Sequence, residues 1–568
     1  MLRLTDIKLP LDHDEVAIEN AILHKLQITK SMLLETTVFK RGYDARNNRD
    51  IQLIYTLDVA VENEAALLEK FAKDTSVRLT PDMRYKFVAT APSDITDRPV
   101  VVGLGPCGLF AALILAQMGF KPIVLERGKA VRERTKDTFG FWRKQPLNPE
   151  SNVQFGEGGA GTFSDGKLYS QVKDRKHYGR KVLNEFVAAG APEEIMYVSK
   201  PHIGTFKLVS MVEKMREQII SLGGEIRFST RVERLDLDSP GADTNSLEAD
   251  INSPEAHINS PEADEHSKSH KIKGLFLSDG SYLPCTKVIM AIGHSARDTF
   301  QSLYDQGVYI EAKPFSIGFR IEHEQSMIDS CRFGDNAGNP ILGAADYKLV
   351  HHCRNGRTVY SFCMCPGGTV VAAASEPGRV VTNGMSQYSR HERNANSAIV
   401  VGITPEKDYP EHPLAGIDLQ RKLEELAYKV GGENYHAPAQ LIGDFLAGKP
   451  SEEVGEVKPS YTPGITLTDL SKVVPDFVIE SIREAIPAFN RQIKGFAKAD
   501  GMLTGVETRT SSPVCIKRDK QYESVNIEGL YPAGEGAGYA GGIWSAGIDG
   551  IRVAEAVAVA LVPSDPNT

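Results

Sequence analysis

Cysteine is scarce in this chain: seven of its 568 residues are cysteines, an odd number with no regular spacing. A disulfide framework needs an even set at framework spacings, so we expect reduced thiols and a cytoplasmic protein. Apolar runs of roughly 18 residues, the length that a membrane-spanning helix needs, are also missing. The first residues lack the apolar stretch of a secretory signal, so we expect no signal peptide and no membrane partner.

A surplus of positive charge is absent as well. The net charge is −9 and the pI is about 5.9, which argues against nucleic acid as the main partner of the whole chain. Hydrophobic residues make up 41% and charged residues 24%, values typical of globular proteins. The length then predicts two or three domains of roughly 100–200 residues each.

The most informative pattern begins at residue 100. A short apolar run at 100–102 leads into a glycine-rich turn, a helical pattern at 109–118 follows, and a second apolar run at 123–125 ends in Glu126. Strand, glycine turn, helix, strand and acid in this order are typical of a βαβ unit that binds a dinucleotide. We expect Glu126 to accept hydrogen bonds from ribose hydroxyls.

The turn has the pattern G-x-G-x-x-G, formed by Gly103, Gly105 and Gly108. The first glycine permits the tight turn, the second lets the backbone approach a pyrophosphate, and the third lets helix and strand pack closely. The phosphates are expected at the helix N-terminus, where N–H groups are unpaired. This motif alone does not separate NAD from FAD.

Three later segments resemble the large FAD family that includes glutathione-reductase-like and hydroxybenzoate-hydroxylase-like enzymes. An apolar strand at 288–292 ends in Gly293, and the segment 529–538 resembles the family's second FAD motif, with Glu535 where an Asp usually binds the ribityl chain. Gly541 and Gly542 precede a helix expected at about 547–561. In the family this helix N-terminus points at the flavin, and its dipole would favour reduced flavin by about 0.3–2 kcal/mol.

A second glycine-rich loop spans residues 155–168, with five glycines between Gly156 and Gly166. Such density predicts close approach of the backbone to a flavin face or a pyrophosphate, with Lys167 as a charge partner; a structural loop is the alternative. The residues expected to hold a non-covalent FAD are Gly103, Gly105, Pro106, Cys107, Gly108, Glu126, Arg127, Gly158, Gly159, Gly161, Thr162, Lys167, Leu168, Val232, Gly293, Gly534, Glu535, Gly536, Gly541, Gly542 and Ile543.

A narrower resemblance is carried by that loop together with segments 200–205, 318–323 and 363–368. They resemble a bacterial family described as FAD-dependent dehydrogenases or FAD-binding proteins, over residues 1 to about 562. That description implies a cofactor and leaves the substrate open.

The fold expected is α/β: a three-layer Rossmann-type FAD-binding domain with an inserted α+β substrate domain and a small N-terminal α+β domain. Helical patterns at 16–28 and 64–72 flank an alternating strand at 51–61. The expected division is an N-terminal domain at 1–95, a discontinuous FAD domain at 96–172, 201–310 and 501–568, and a substrate-facing domain at 173–200 and 311–500.

Residues 239–270 differ from their surroundings. A polar seven-residue unit recurs three times, and Pro254 and Pro261 exclude a coiled coil. We interpret the segment as a flexible surface insertion in a hairpin between strands at 232–237 and 272–277.

Cys363 and Cys365 are the first candidates for chemistry. In a regular strand, residues two apart share a face but lie nearly 7 Å from one another, too far for a relaxed disulfide, although the turn at 366–368 could alter this. A thiol acting near the flavin and a pair of buried structural cysteines are both open. No spacing supports a metal site with His351 and His352, and we expect no metal.

Three further residues are candidates to bind an anionic substrate or transfer a proton, with a structural polar role as the alternative. Arg320 and His323 flank an expected strand, and His202 precedes a helix whose expected N-cap is Thr205. The basic segment 40–49 is expected to be a solvated hairpin end, with RNA or an acidic protein as alternative contacts.

We see one G-x-G-x-x-G unit and no C-x₄-C near it, which excludes a close relative of the pyridine nucleotide disulfide reductases. NAD(P)H would then dock transiently, or the substrate would exchange electrons with FAD directly. The sequence predicts an FAD-dependent oxidoreductase, a dehydrogenase or reductase that moves a hydride or two electrons between FAD and a small organic substrate. A flavin monooxygenase is one alternative, and a flavin-loaded binding or regulatory protein that uses its N-terminal domain is another.

Overall fold

A computed structural model describes residues 1–238 and 268–562. Its strands are β1 (Leu2–Pro10), β2 (Leu33–Asp44), β3 (Gln52–Val61), β4 (Val77–Leu79), β5 (Val100–Val102), β6 (Ile123–Leu125), β7 (Glu225–Arg227), β8 (Val232–Asp238), β9 (His270–Leu277), β10 (Tyr282–Pro284), β11 (Val288–Met290), β12 (Ile310–Ala312), β13 (Phe315–Glu324), β14 (Val350–His352), β15 (Thr358–Cys365), β16 (Gly368–Ala372), β17 (Thr382–Ser386), β18 (Asn394–Ile403), β19 (Ala437–Leu441), β20 (Ile465–Leu467), β21 (Met502–Glu507), β22 (Val514–Ile516), β23 (Ile527–Glu528) and β24 (Leu530–Pro532).

The helices are α1 (Val16–Leu26), α2 (Glu64–Lys70), α3 (Pro106–Gln117), α4 (Val131–Trp142), α5 (Tyr178–Ala188), α6 (Thr205–Ser221), α7 (Arg297–Asp305), α8 (Gln325–Phe333), α9 (Pro405–Asp408), α10 (Ala415–Gly431), α11 (Ile442–Ala447), α12 (Asp476–Gln492) and α13 (Ile543–Leu561). Among the described residues, none of them combines the length and apolarity needed to cross a membrane. Helices and several sheets together make a mixed α/β fold, as the sequence predicts.

A five-stranded sheet has the order β24-β11-β5-β6-β7, and every neighbouring pair is parallel. Its central strands are short and fully apolar because both faces are covered. Helix α3 is buried on nearly every side, from Cys107 to Ala116, because it packs between this sheet and α13. The expected strand–helix–strand unit at 100–125 is confirmed.

Helices α3 and α13 approach closely where α13 carries glycine. A methyl group on Gly550 would overlap the carbonyl oxygen of Cys107. Helix α5 adds Tyr178, Val182 and Phe186, spaced four residues apart on one face, to the same core. The segment 173–200, which the sequence suggested for the substrate-facing region, therefore packs with α3 and α13.

A second, seven-stranded sheet has the order β14-β15-β18-β13-β21-β19-β20. Strand β13 lies at its centre and is buried almost throughout. Arg320 and His323 are inside this strand rather than flanking it, which corrects their expected position. Strand β21, at 502–507, also belongs to this sheet, beyond the boundary expected at residue 500. Helix α12 covers the sheet with its apolar face.

The first 80 residues form a four-stranded sheet of order β2-β3-β1-β4 with α1 and α2. The expected helix at 16–28, strand at 51–61 and helix at 64–72 are confirmed within a few residues as α1, β3 and α2. The expected hairpin end at 40–49 is present between β2 and β3, and Lys40, Arg46, Asn47 and Arg49 in it are exposed. Other groups of the segment contact the rest of the chain. The backbone of Arg41 hydrogen-bonds Tyr197 and Ser199, and Tyr43 packs edge-on against Phe333. Aromatic and backbone groups within the basic segment thus hold it against the rest of the chain.

Strands β8 and β9 pair antiparallel, from Val232 opposite Leu277 to Asp238 opposite Lys271, so the expected hairpin is present. Of the insertion predicted at 239–270, residues 239–267 lie outside the described residues, and its last three positions, 268–270, are described. Two helix starts differ from expectation. Gly204, not Thr205, precedes α6, and α13 begins at Ile543 rather than near Gly547.

Candidate functional site

A cavity of about 600 Å³ lies where the ends of the parallel strands face the seven-stranded sheet. Its volume falls in the range of roughly 300–1,000 Å³ that small-molecule and cofactor sites occupy. We call one side the glycine wall, formed by Gly103, Gly105, Gly159, Gly161, Gly293, Gly541 and Gly542. We call the opposite side the charged wall, formed by Lys167, Cys363, Asn383, Glu507 and Arg509.

The first part of the glycine wall is the turn before α3. Gly103 has a φ of 97°, and a methyl group there would overlap the carbonyl oxygen of Ala291. A methyl group on Gly108 would overlap the carbonyl oxygen of Gly103, so this glycine allows the helix to pack on the turn. At Gly105 an added methyl would meet only Gly159, at 3.7 Å. The backbone at Gly105 is therefore open toward the cavity.

Two helices begin at this cavity. Gly105 is the N-cap residue of α3 and Gly542 is that of α13. Within the described part of the chain, neither N-cap position provides a side-chain hydrogen bond to the first turn of its helix. Added methyl groups at Gly541 and Gly542 would meet no described atom within 4 Å. Unpaired N–H groups and two helix dipoles therefore converge on one space, an arrangement that favours an anionic group.

Two of the carboxylates that line the cavity, Glu126 and Glu535, differ in their hydrogen bonding. Glu126 accepts hydrogen bonds from the backbone N–H groups of Leu104 at 2.8 Å, Gly128 at 2.8 Å and Gly156 at 3.0 Å. These three hydrogen bonds use most of the acceptor capacity of the Glu126 carboxylate, and about one lone-pair site is left for a ribose hydroxyl. Glu535 has no such donors within the described chain, and burial raises its pKa to about 7.

The charged wall contains an irregularity in β15. Against β18, Phe362 pairs with Ala398 and Cys365 with Asn396, so two residues of β15 oppose one of β18. This is a β-bulge, and Cys363 in it has a φ of 44°, which is unusual for a residue other than glycine. The bulge departs from the regular strand geometry on which the expected separation of nearly 7 Å rests, and Cys365 Sγ donates to the carbonyl oxygen of Cys363 at 3.3 Å.

Two cations stabilise the bulge by donating hydrogen bonds to its carbonyl oxygens. Arg320 donates to the carbonyl oxygen of Cys363 at 2.9 Å, and Lys167 donates to that of Met364. Arg320 also pairs with Glu507 at 3.2 Å, and Lys167 pairs with Asp165 at 2.7 Å. Arg320 itself is fully buried and sits behind the cavity surface.

Glu507 is the charged wall's titrating carboxylate. It is 3% exposed, and burial raises its pKa to about 7, although Arg320 acts in the opposite direction. Its Oε2 atom accepts from Arg320 and, at 3.3 Å, from Thr382. A carboxyl group with such a pKa exchanges a proton near neutral pH.

The structure brings most of the predicted FAD-binding residues to the cavity. Those that line it are Gly103, Gly105, Pro106, Cys107, Glu126, Arg127, Gly159, Gly161, Lys167, Val232, Gly293, Glu535, Gly541, Gly542 and Ile543. The others, Gly108, Gly158, Thr162, Leu168, Gly534 and Gly536, lie behind its surface. Gly536 and Gly108, for example, contact the backbone of neighbouring turns.

Of the five candidates for chemistry, Cys363 alone lines the cavity. Cys365 lies beneath it. His202 stacks on Tyr388 and hydrogen-bonds its carbonyl oxygen at 2.9 Å, and burial lowers its pKa to about 4. His323 bonds the carbonyl oxygen of Phe496 at 2.8 Å, and burial lowers its pKa to about 4 as well. Both histidines thus have the structural environment that was the alternative to a catalytic one.

Sequence reasoning missed several polar residues of the cavity, among them His294, Asn383, Glu507, Arg509 and Tyr539. His294 and Tyr539 directly follow predicted motifs, and this adjacency was a signal that could have found them. The other three belong to β17, β21 and the residues after β21, and no local pattern marks them. Away from the cavity, His351 bonds Glu484 at 3.0 Å beside Cys353, apart from Cys363 and Cys365.

Comparisons with known proteins place this chain in a family. An uncharacterized protein of Clostridium beijerinckii is 45% identical over 555 residues, 98% of each chain. Residues 314–510 match a family model described as "FAD-dependent protein, C-terminal domain-like", and residues 1–60 match a domain of unknown function. The chain belongs to the same family as the clostridial protein, and its seven-stranded sheet region matches a model of FAD-dependent proteins.

Solved structures show more distant likenesses. L-amino acid deaminase from Proteus myxofaciens in complex with anthranilate is 12% identical, covering 85% of this chain and 95% of that chain with a TM-score of 0.29. CtdE in complex with FAD is 12% identical, covering 82% and 84% with a TM-score of 0.30. Quinol fumarate reductase of E. coli is 11% identical, covering 83% and 71% with a TM-score of 0.32. TM-scores of this size carry no conclusion about this chain.

Proposed function

We propose that the protein is an FAD-dependent oxidoreductase that holds FAD non-covalently in this cavity. The parallel sheet with α3 and α13 would be a Rossmann-type FAD-binding domain, and the seven-stranded sheet would face the substrate. The observation that carries the proposal is the convergence of two uncapped helix N-termini, α3 and α13, on one cavity. Two adjacent phosphates are the anionic group that such a site suits best.

The residues present fit this cofactor. Gly105, Gly541 and Gly542 leave room along the glycine wall for a ligand to touch the backbone. Glu535 is a half-buried carboxylate without a hydrogen-bond donor among the described residues, and the ribityl hydroxyls of FAD are donors. Arg127 stacks over Phe155 at 4.0 Å and pairs with Glu150 and Asp298, which fixes its position at the cavity.

Bound FAD would supply two-electron chemistry, which no side chain of the chain supplies alone. The charged wall would bind the substrate and donate a proton to it or accept one from it. The hydrogen bonds from Arg320 and Thr382 both reach Glu507 Oε2. Glu507 Oε1 accepts none from the described residues, so this atom can hold or release a proton near pH 7. His294 Nδ1 bonds Ser295 at 2.8 Å, and burial lowers its pKa to about 3. His294 would therefore act as a neutral hydrogen-bonding group.

An anaerobic spectroscopic titration tests the proposal. Purified protein should show flavin absorbance that denaturation releases as free FAD, and the bands should bleach with NADH, with NADPH or with an organic substrate. Bleaching by one nucleotide identifies a transient electron donor. Oxygen consumption in step with substrate would instead identify a flavin monooxygenase. Absorbance that no donor bleaches would overturn the oxidoreductase and leave a flavin-loaded binding protein.

A further inference from the structure

The cysteines of this chain have contrasting environments. Burial raises the pKa of the Cys107, Cys285 and Cys353 thiols above their ordinary value. The pKa of Cys363 is instead well below its ordinary value, because Cys365 hydrogen-bonds it and Lys167 and Arg320 attract its charge. Reactive cysteines occupy electropositive sites of this kind, whereas buried structural ones do not.

The charges around the bulge favour a negative sulfur. Lys167, Arg320 and Arg390 are three cations, and Asp165 and Glu507 are the two carboxylates that pair with them. Glu507 is partly protonated near pH 7 because its pKa is about 7. Lys167 and Arg320 therefore stabilise a negative charge on Cys363, and Glu507 does not neutralise Arg320 when it is protonated.

The backbone brings the second thiol within reach. The bulge replaces the regular strand geometry that would separate residues two apart, and Cys365 Sγ lies 3.3 Å from the carbonyl oxygen of Cys363. Both bulge carbonyls are fixed by cations, the buried Arg320 and the half-buried Lys167. Cys363 faces the cavity, while Cys365 is fully buried beneath it.

We propose that Cys363 and Cys365 are a reversible dithiol–disulfide pair that exchanges two electrons with the flavin bound in the cavity. On oxidation, the S–H bond of Cys365 breaks and one bond forms between its Sγ atom and the Cys363 thiolate. The two electrons and the proton from Cys365 pass to the oxidised flavin ring, which becomes the anionic reduced flavin. The reverse reaction breaks the S–S bond with two electrons and one proton. Cys363 is the thiol on the cavity side.

This inference rests on the proposed function, because flavin is the electron partner. The thiol state can nevertheless be read without any activity assay. Trypsin cleaves after Arg357 and Arg379, and the peptide between these sites contains Cys363 and Cys365 and no other cysteine. Alkylation therefore adds two labels to the peptide from the dithiol and none to the peptide from the disulfide, which is also lighter by two hydrogens.

The experiment equilibrates the flavin-loaded protein anaerobically in glutathione buffers of graded ratio, then traps it with acid and N-ethylmaleimide. We expect the peptide to change from two labels to none as glutathione becomes oxidised. When the flavin of the oxidised protein is then photoreduced, the two labels should return. Cys331→Ser is the matched control, since this cysteine is outside the cavity, and it should behave as wild type. Cys365→Ser cannot form the internal disulfide, so Cys363 in its peptide should carry one label in reduced buffers and one glutathione in oxidised buffers.

Each outcome has a definite meaning. Two labels in all buffers would overturn the pair while leaving flavin absorbance, and with it the proposed function, intact. A disulfide that photoreduced flavin does not open would overturn the electron exchange. Protein that lacks flavin and cannot be reconstituted would overturn the proposed function itself, and the exchange with it.

A second measurement tests whether Lys167 stabilises the Cys363 thiolate. Lys167→Gln removes one of the cations, and the alkylation rate of Cys363 at pH 7 should fall about tenfold, whereas Lys167→Arg should restore much of it. Equal rates in wild type and Lys167→Gln, with folding confirmed by an unchanged thermal midpoint, would show that this lysine does not stabilise the thiolate.

Discussion

The two walls of the cavity are built in opposite ways. The glycine wall consists of backbone, and its groups come from turns that precede helices, such as those at Gly105 and Gly542. The charged wall consists of side chains that hydrogen-bond partners far away in sequence, as Arg320 does with Glu507. A backbone wall can bind a ligand without altering the fold, whereas a wall of buried ion pairs is itself a part of the folded structure.

The largest effect should follow from breaking the charged wall. Replacing Arg320 by methionine leaves Glu507, Asn383 and the carbonyl oxygen of Cys363 without their donor. Removing one partner of a buried ion pair costs about 3–5 kcal/mol, so the free energy of unfolding should fall by about that amount. Denaturant unfolding followed by fluorescence measures it.

The matched control is Arg46→Met, which breaks an exposed pair with Asp44. It should leave the unfolding midpoint unchanged. If both variants unfolded alike, the buried network would not be a structural part of the charged wall.

The glycine wall should respond in binding and not in stability. Gly541→Ala adds a methyl group that meets no described atom within 4 Å, so the protein should fold normally. Because the methyl enters the space assigned to FAD, the dissociation constant should rise about 10–100-fold, or about 1.4–2.8 kcal/mol. Fluorescence titration of the apoprotein with FAD measures this change.

Gly402→Ala is the control for that substitution, because Gly402 also has room for a methyl group but lies in β18 away from the cavity. It should bind FAD as wild type does. Unchanged FAD affinity in Gly541→Ala would contradict the position assigned to the cofactor.

A smaller effect concerns pH. The pKa of Glu535 is raised from 4.5 to about 7 in the folded apoprotein by burial. As pH rises above about 4.5 the unfolded chain ionises this group first, so stability falls until about pH 7. Glu535→Gln should remove about 2 kcal/mol of that fall. Thermal midpoints of the apoprotein between pH 5 and 8 show it.

The variant Glu528→Gln controls for the loss of one negative charge, since Glu528 is a half-exposed carboxylate in a surface ion pair with Lys271. Its pH dependence should match that of wild type. If the stability of Glu535→Gln fell between pH 5 and 8 as much as that of wild type, the pKa of Glu535 would not be raised in the folded state.

The same contrast explains what could be predicted from the sequence. Gly103, Gly105 and Gly108 lie within six residues of one another, so spacing alone predicts the turn, the helix and the strand beside it. Arg320 and Glu507 are paired by adjacent strands β13 and β21, and nothing local in the sequence indicates that pairing. The charged wall therefore contains most of what sequence reasoning missed.

The cysteine pair shows a further limit. Strand periodicity predicts separated thiols, and the bulge that brings them together depends on how β15 pairs with β18. In the basic segment at 40–49 the hairpin end could be predicted, but the aromatic contact of Tyr43 with Phe333 could not, because it depends on the tertiary fold. The helix start at Ile543 was missed because two glycines precede it and another follows at Gly547.

The most direct test of the central claim is titration of the apoprotein with FAD and, separately, with riboflavin, which has the same ring and no phosphate. If the helix N-termini of α3 and α13 bind the phosphates, FAD should bind stoichiometrically and at least about tenfold more tightly than riboflavin. Equal affinity for the two would contradict the phosphate site. An apoprotein that binds neither would contradict the assignment of this cavity to FAD.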